Sequence, residues 1–256
     1  MENKIAVVTG AAGGIGTAIA RMLAESGVVV AAADLDADRL KEMVEKLAAE
    51  GWRARAFPVD VTISADVEAM VAAVEEQLGP IDFLVNAAGV LRLGNVAQYS
   101  ADDWRTTFAV NVDGVFHLCK AVVNRMVVRQ RGAIVTVASN AAGTPRTQMA
   151  AYAASKAAAT MFTKSLGLEV ARHGIRCNLV APGSTDTPML TSMWQDDSGS
   201  VGTIEGRPDA FRVGIPLGKI ATPDDVADAV MFLLSERAAH ITLHDLTVDG
   251  GAALGV

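Results

Sequence analysis

Short apolar runs rich in β-branched residues recur along the whole chain, at positions 5–8, 28–33, 83–85, 133–137, 175–180 and 246–248. Several are apolar at consecutive rather than alternate positions, which is how a strand reads when helices cover both of its faces. Longer segments with helical spacing fill the intervals, and their starts are marked. Ser64 precedes 67–78, Ser100-x-x-Asp103 precedes 104–129, and Thr222-Pro223-Asp224-Asp225 sets a capping Thr, a Pro and two acids ahead of 226–234. The pattern predicts an α/β chain built on a doubly wound parallel sheet with helices on both faces.

The 256 residues show no internal repeat, low-complexity block or polar linker, so 1–256 is expected to form a single domain. Half of the residues (51%) are hydrophobic, enough for a sizeable core and too many for a disordered chain. With 22 basic against 29 acidic residues the net charge is −7, which argues against a nucleic-acid partner. The small cluster Arg125, Arg129 and Arg131 reads as a favourable helix end. No apolar run approaches the ~18–20 residues of a membrane span, and 5–8 is too short for a signal-peptide core. Cys119 and Cys177 stand apart and read as packing residues in a reducing compartment, so the expected location is cytoplasmic. No metal site is expected; His240 and His244 are four apart, but in a segment read as loop. The stretch 183–215 lacks periodicity and reads as a lid, with Met189, Leu190, Met193 and Trp194 to close it.

Directly after the first strand comes Thr9-Gly10-Ala11-Ala12-Gly13-Gly14-Ile15-Gly16, and a helical run follows. Glycines let the chain turn tightly and approach a ligand, while the free N–H groups of the next helix favour an anion, so this is the place for a dinucleotide pyrophosphate. About twenty residues on, Asp34 ends the second strand, where an acid accepts hydrogen bonds from ribose hydroxyls and repels a 2′-phosphate. No basic residue lies in the loop or directly after Asp34, and Asp36 and Asp38 add negative charge, so the expected cofactor is NAD. Asp60-Val61 and Asn86-Ala87-Ala88-Gly89 follow the third and fourth strands, and both fall at the sheet edge where open α/β sheets bind ligands.

Tyr152 and Lys156 lie four apart in the helical stretch 149–171, which puts both side chains on one face. A positive charge beside a phenol favours the phenolate, the form that acts as a base. Ser139 ends the fifth strand and can hold a substrate oxygen, and Asn111, a poor helix former inside the helix after Ser100, can hold a water or a backbone group.

Taken together, the glycine loop, Asn86-Ala87-Ala88-Gly89, Asn111, Ser139, Tyr152-x-x-x-Lys156 and Pro182-Gly183 resemble the short-chain dehydrogenase/reductase family in order and spacing over the entire chain. The resemblance implies one Rossmann domain of about seven strands and Tyr152 as the acid/base. It further implies a proton relay through the cofactor ribose, Lys156 and an Asn111-held water, cofactor contacts at Pro182 and Gly183, and a homotetramer. The later segments, Leu91-Arg92, 139–146, 182–187, 214–219 and 240–251, are similar to a narrower group that oxidises a dihydroxy-cyclohexadiene carboxylate in siderophore biosynthesis. For such a substrate Arg92 and Arg146 are the candidate partners of the carboxylate, and Met189 and Trp194 the candidate cover of the ring. A 2-amino analogue of that substrate stays open. A reductase of 3-oxoacyl carrier-protein substrates fits Asp34 and the acidic charge less well, and a non-catalytic dinucleotide sensor would normally lack part of the Asn111, Ser139, Tyr152, Lys156 set.

Overall fold

The computed structural model describes residues 1–194 and 198–255; positions 195–197 of the expected lid and position 256 lie outside the described residues. Seven parallel strands form one sheet: β1 (Ile5–Thr9), β2 (Val29–Asp34), β3 (Ala54–Pro58), β4 (Phe83–Asn86), β5 (Gly132–Val137), β6 (Ile175–Pro182) and β7 (Asp245–Val248), in the spatial order β3-β2-β1-β4-β5-β6-β7. The strand order reverses between β1 and β4, where Thr9 stands opposite Asn86. At such a switch point the two flanking connections leave to opposite faces and open a crevice at the carboxyl ends of the strands.

The consecutive apolar residues of the strands feed two cores. Ala6, Val8, Val30 and Ala32 pack on one face with α1 (Gly14–Glu25), α2 (Ala37–Ala49) and α9 (Pro223–Leu234). Val7, Ala31, Leu84 and Ile134 pack on the other with α3 (Ser64–Gln77) and α5 (Gly114–Arg129). Removing either helical layer exposes Val, Leu or Ile side chains worth about 1.5–3 kcal/mol each when buried, so both layers are needed to hold the sheet. Cys119 and Cys177 are free and lie inside the second core, where burial pushes the Cys119 thiol up to about 12, so both act as packing residues.

The helix starts show how far local chemistry reaches. Thr222 accepts from the Asp225 N–H while Asp225 accepts from the Thr222 N–H, a complete capping box with Pro223 in the first turn. Ser100 caps α4 (Ala101–Phe108) by accepting from the Asp103 N–H. Ser64 is instead the first residue of α3; Ile63 takes the cap position without a side-chain hydrogen bond. The stretch 104–129 is not one regular helix, because a π-helical turn at Ala109–Asp113 separates α4 from α5. The other end of α9 is closed from the sheet, where Arg176 of β6 donates to the carbonyls of Leu233, Leu234 and Ser235. The remaining helices are α6 (Ala150–Val170), α7 (Pro188–Thr191) and α8 (Gly199–Glu205).

Candidate active site

Two hollows share a wall at the carboxyl edge of the sheet, with Ile15, Ala87, Gly89 and Met189 lining both. The larger, of about 470 Å³, runs from the glycine loop to Asp34, Asp60 and Val61. Its geometry depends on missing side chains: a Cβ on Gly16 would stand 2.0 Å from the Gly10 carbonyl oxygen, so the loop closes on itself only with glycine there. No side chain caps α1, and its first turn holds no acid, which leaves the positive end of the helix directed at the cleft. Thr9 ties the two strand ends together, its hydroxyl accepting from the Ala87 and Ala88 N–H groups at 3.2 and 3.3 Å.

Asp34 is fixed by the loop it faces. One carboxylate oxygen accepts from the Ala12 N–H at 3.0 Å and the other from the Asp36 N–H at 3.1 Å. Asp60 accepts from the Thr62 N–H and hydroxyl at 2.9 and 2.7 Å, which shapes the turn that carries Val61 to the cleft. Asn86 lies behind the cleft rather than on it: its amide donates toward Cys119 Sγ and Thr136 Oγ1 in the core, because its position at the end of β4 points it inward. Arg39 and Leu35 line the cleft and escaped the sequence reading; Arg39 follows Asp34 by five residues, in the first turn of α2, where a search for an adjacent base does not reach.

The smaller hollow, of about 130 Å³, is lined by Ser139, Tyr152 and Lys156, by Pro182 and Gly183 at the end of β6, and by apolar residues including Leu91, Met189 and Met193. Lys156 Nζ donates to the Val137 carbonyl at 2.9 Å and sits 5.8 Å from the centre of the Tyr152 ring. Burial lowers the Lys156 ammonium to about 8, because taking the charge out of water favours the neutral amine. Burial also raises the Tyr152 phenol above its usual value, and the Ser139 hydrogen bond opposes that shift without cancelling it. The Ser139 hydroxyl is held in turn by the Ala141 N–H at 3.1 Å.

Asn111 lies in the π-helical turn and is buried. Its side chain accepts from the Val90 N–H and donates to the Val90 carbonyl and to Ser155 Oγ, each at 2.9 to 3.0 Å, and the Ser155 hydroxyl donates to the Tyr152 carbonyl at 2.7 Å. The amide therefore clamps the 86–90 turn to the helix that carries Tyr152. A Cβ on Gly89 would stand 3.4 Å from both Asn111 Oδ1 and Lys156 Nζ, so these three positions meet at one point.

Two candidate substrate contacts stand elsewhere. Arg92 is exposed, faces Asp103 at 3.7 Å and does not line the hollow, because the chain turns outward after Leu91 and the Tyr99 hydroxyl holds the Arg92 carbonyl. Trp194 packs against Gly199 and donates to Thr203 at 3.3 Å, which spends its ring on α8. Arg146 does line the hollow, and so does Arg212, which the sequence reading missed inside an aperiodic stretch.

A family model for short chain dehydrogenase matches residues 4–198. The chain is 55% identical over 256 residues to a 2,3-dihydro-2,3-dihydroxybenzoate dehydrogenase of Bacillus subtilis, covering 100% of this chain and 98% of that protein. It is 44% identical over 254 residues to the Escherichia coli protein of the same name, covering 99% and 98%. In fold it is similar to a gluconate 5-dehydrogenase from Burkholderia cenocepacia, crystallised with NADP and tartrate, with a TM-score of 0.92 at 32% identity over 100% of this chain and 97% of that one. The chain belongs to the short-chain dehydrogenase family. It is an oxidoreductase that acts on a CH–OH group with a nicotinamide dinucleotide. The residues present fit that group: the Cβ-free loop, the open amino-terminal end of α1 and the carboxylate of Asp34 offer what a pyrophosphate and a ribose require.

Proposed function

We propose that the protein oxidises the C3 hydroxyl of trans-2,3-dihydro-2,3-dihydroxybenzoate with NAD, giving 2,3-dihydroxybenzoate for siderophore biosynthesis. The observation that carries this reading is the junction of a Tyr152–Ser139 pair with an arginine-bearing apolar hollow in a chain 55% identical to a dehydrogenase of that name. When bound, the dinucleotide supplies the hydride acceptor and a positively charged ring. Tyr152, as phenolate, takes the proton of the C3 hydroxyl, and the Ser139 hydroxyl holds the same oxygen as it becomes a carbonyl. The Lys156 ammonium, buried beside the ring, stabilises the phenolate against its own burial. Asn111 keeps the 86–90 turn and α6 in register while the proton moves. The ketone aromatises by passing its C2 proton to the carbonyl oxygen, which makes the oxidation effectively one-way.

Asp34 supports NAD over NADP: two backbone donors hold its carboxylate at the cleft wall, where a 2′-phosphate would meet a negative charge. Arg39 reaches the same cleft from an exposed position and is the residue a 2′-phosphate would need. Segment 183–215 acts as a lid in this reading, with Met189, Leu190 and Met193 against the substrate. Exposed Phe116, Met161 and Leu168 on α5 and α6 offer apolar surface for a homotetramer, which light scattering would test. The expected location is the cytoplasm; no described helix is long and apolar enough to cross a membrane.

The test is NADH formation by the purified protein with NAD, comparing the diol with trans-2,3-dihydro-3-hydroxyanthranilate by kcat/KM. Preference for the diol supports the reading, preference for the amine moves the product to 3-hydroxyanthranilate, and turnover of neither overturns it.

A further inference from the structure

The hollow that holds Tyr152 and Ser139 carries two guanidinium groups, from Arg146 and Arg212, which are 66 positions apart in the sequence. Both are half-buried, and among the described residues neither meets a carboxylate within ion-pair distance, although nearby Arg207 has its own partner in Asp209. Burial lowers both, and the charge of Arg146 lowers Arg212 further, so the two cations are desolvated and repel each other. Asp249 is the acid felt by Arg146, but its oxygens are already taken by Asn140 and by the Gly251 and Ala253 N–H groups. A pair of half-buried like charges lining one hollow is costly unless an anion joins them.

The backbone around Arg212 is built to deliver it. Arg207 and Arg212 exchange two backbone hydrogen bonds at 2.8 and 2.9 Å, and the Ile215 N–H donates to the Ile204 carbonyl at 2.8 Å, closing a small loop at its neck. Gly206 and Gly214 cross at that neck with positive φ, each so close to the other strand that a Cβ would stand within 2.6 Å of its backbone. The loop tip, Phe211, points into solvent, while the adjacent Arg212 turns into the hollow.

We infer that Arg212 is a specificity-determining residue that closes with Arg146 on the substrate's ring carboxylate, in the hollow that also holds Tyr152 and Ser139. This rests on the reading that the substrate is a cyclohexadiene carboxylate, and it makes the charge, not the C2 substituent, the feature that the 206–214 loop recognises. The fork of a guanidinium pairs with both oxygens of a planar carboxylate, so losing one of two such partners should weaken binding about 10- to 100-fold.

Arg212→Met and Arg212→Lys are compared with the parent protein in the presence of NADH, using calorimetry with 2,3-dihydroxybenzoate and with catechol as probes, alongside KM and kcat for the diol acid. The expected result is that the parent binds the benzoate well above catechol and that Arg212→Met loses about 10- to 100-fold for the benzoate with no change for catechol. KM should rise with little change in kcat, and Arg212→Lys should fall between, while NADH affinity stays constant and certifies the fold. Equal loss for both probes, or no loss for the benzoate, would overturn the inference. The binding arm reads the clamp even if the parent turns over no diol acid, so failure of the proposed reaction and failure of the clamp give different results.

Discussion

The dinucleotide cleft and the substrate hollow share Ile15 and Gly89 but are built in opposite ways. The cleft is built around backbone, namely a glycine loop, a helix end and the termini of β1 to β4, with a few side chains such as Asp34, Arg39 and Asp60 on its wall. The hollow draws its side chains from separate places, among them Ser139 after β5, Arg146 in the following loop, Tyr152 on α6, Met189 on α7 and Arg212 on the 206–214 loop. A surface of backbone cannot be edited without moving the fold, since a Cβ on Gly16 collides with Gly10. A surface of side chains on loops can change one residue at a time without moving the fold.

Tyr152→Phe is the sharpest way to separate the two regions. It should lower kcat on the order of 10³-fold while NADH binding, read by fluorescence titration, remains intact. Near-normal turnover would remove Tyr152 from the base role. Lys156 lines the hollow beside Tyr152 and gives the next largest effect. Its folded value of about 8 lies below the ordinary 10.5, so the unfolded chain binds the extra proton between these values and stability rises with pH there. Relative to Lys156→Met, the parent should gain on the order of 3 kcal/mol as pH rises from about 8 to 10.5, measured by urea unfolding.

Asp34→Ala tests the cleft alone. The ratio of kcat/KM for NAD over NADP should fall about 10- to 100-fold, and adding Arg39→Ala should remove part of the new NADP activity. An unchanged ratio would break the cofactor assignment. The smallest effect is expected at Arg92→Met: exposed and facing Asp103 outside the hollow, it should leave KM for the diol acid within about twofold, because exposed pairs contribute little.

Much of the cleft was legible because its parts are local. Gly10, Gly14 and Gly16 follow a strand, Asp34 ends the next one, and Tyr152 and Lys156 share one helix face by spacing alone. Ser100 and Thr222 announced their helices for the same reason, since a cap acts over three residues. Other positions resisted. Asn111 read as an awkward helix residue, but the π-helical turn that aims it at Val90 and Ser155 depends on packing between the 86–90 turn and α6. Arg92 follows a strand end, as a substrate contact would, and only the outward turn of the chain after Leu91 carries it away from the hollow.

By itself, then, the sequence determined six of the seven strands with most of their intervening helices, the parallel sheet with two covered faces, and the glycine loop and Tyr152–Lys156 pair at one edge, because periodicity and short-range chemistry act between neighbours in the chain. Tertiary structure alone decided that Arg212 rather than Arg92 joins Arg146, that Trp194 serves α8, and that Asn86 turns into the core. Those choices are set by which distant side chains the packed loops bring together, and no pattern within a single segment encodes them.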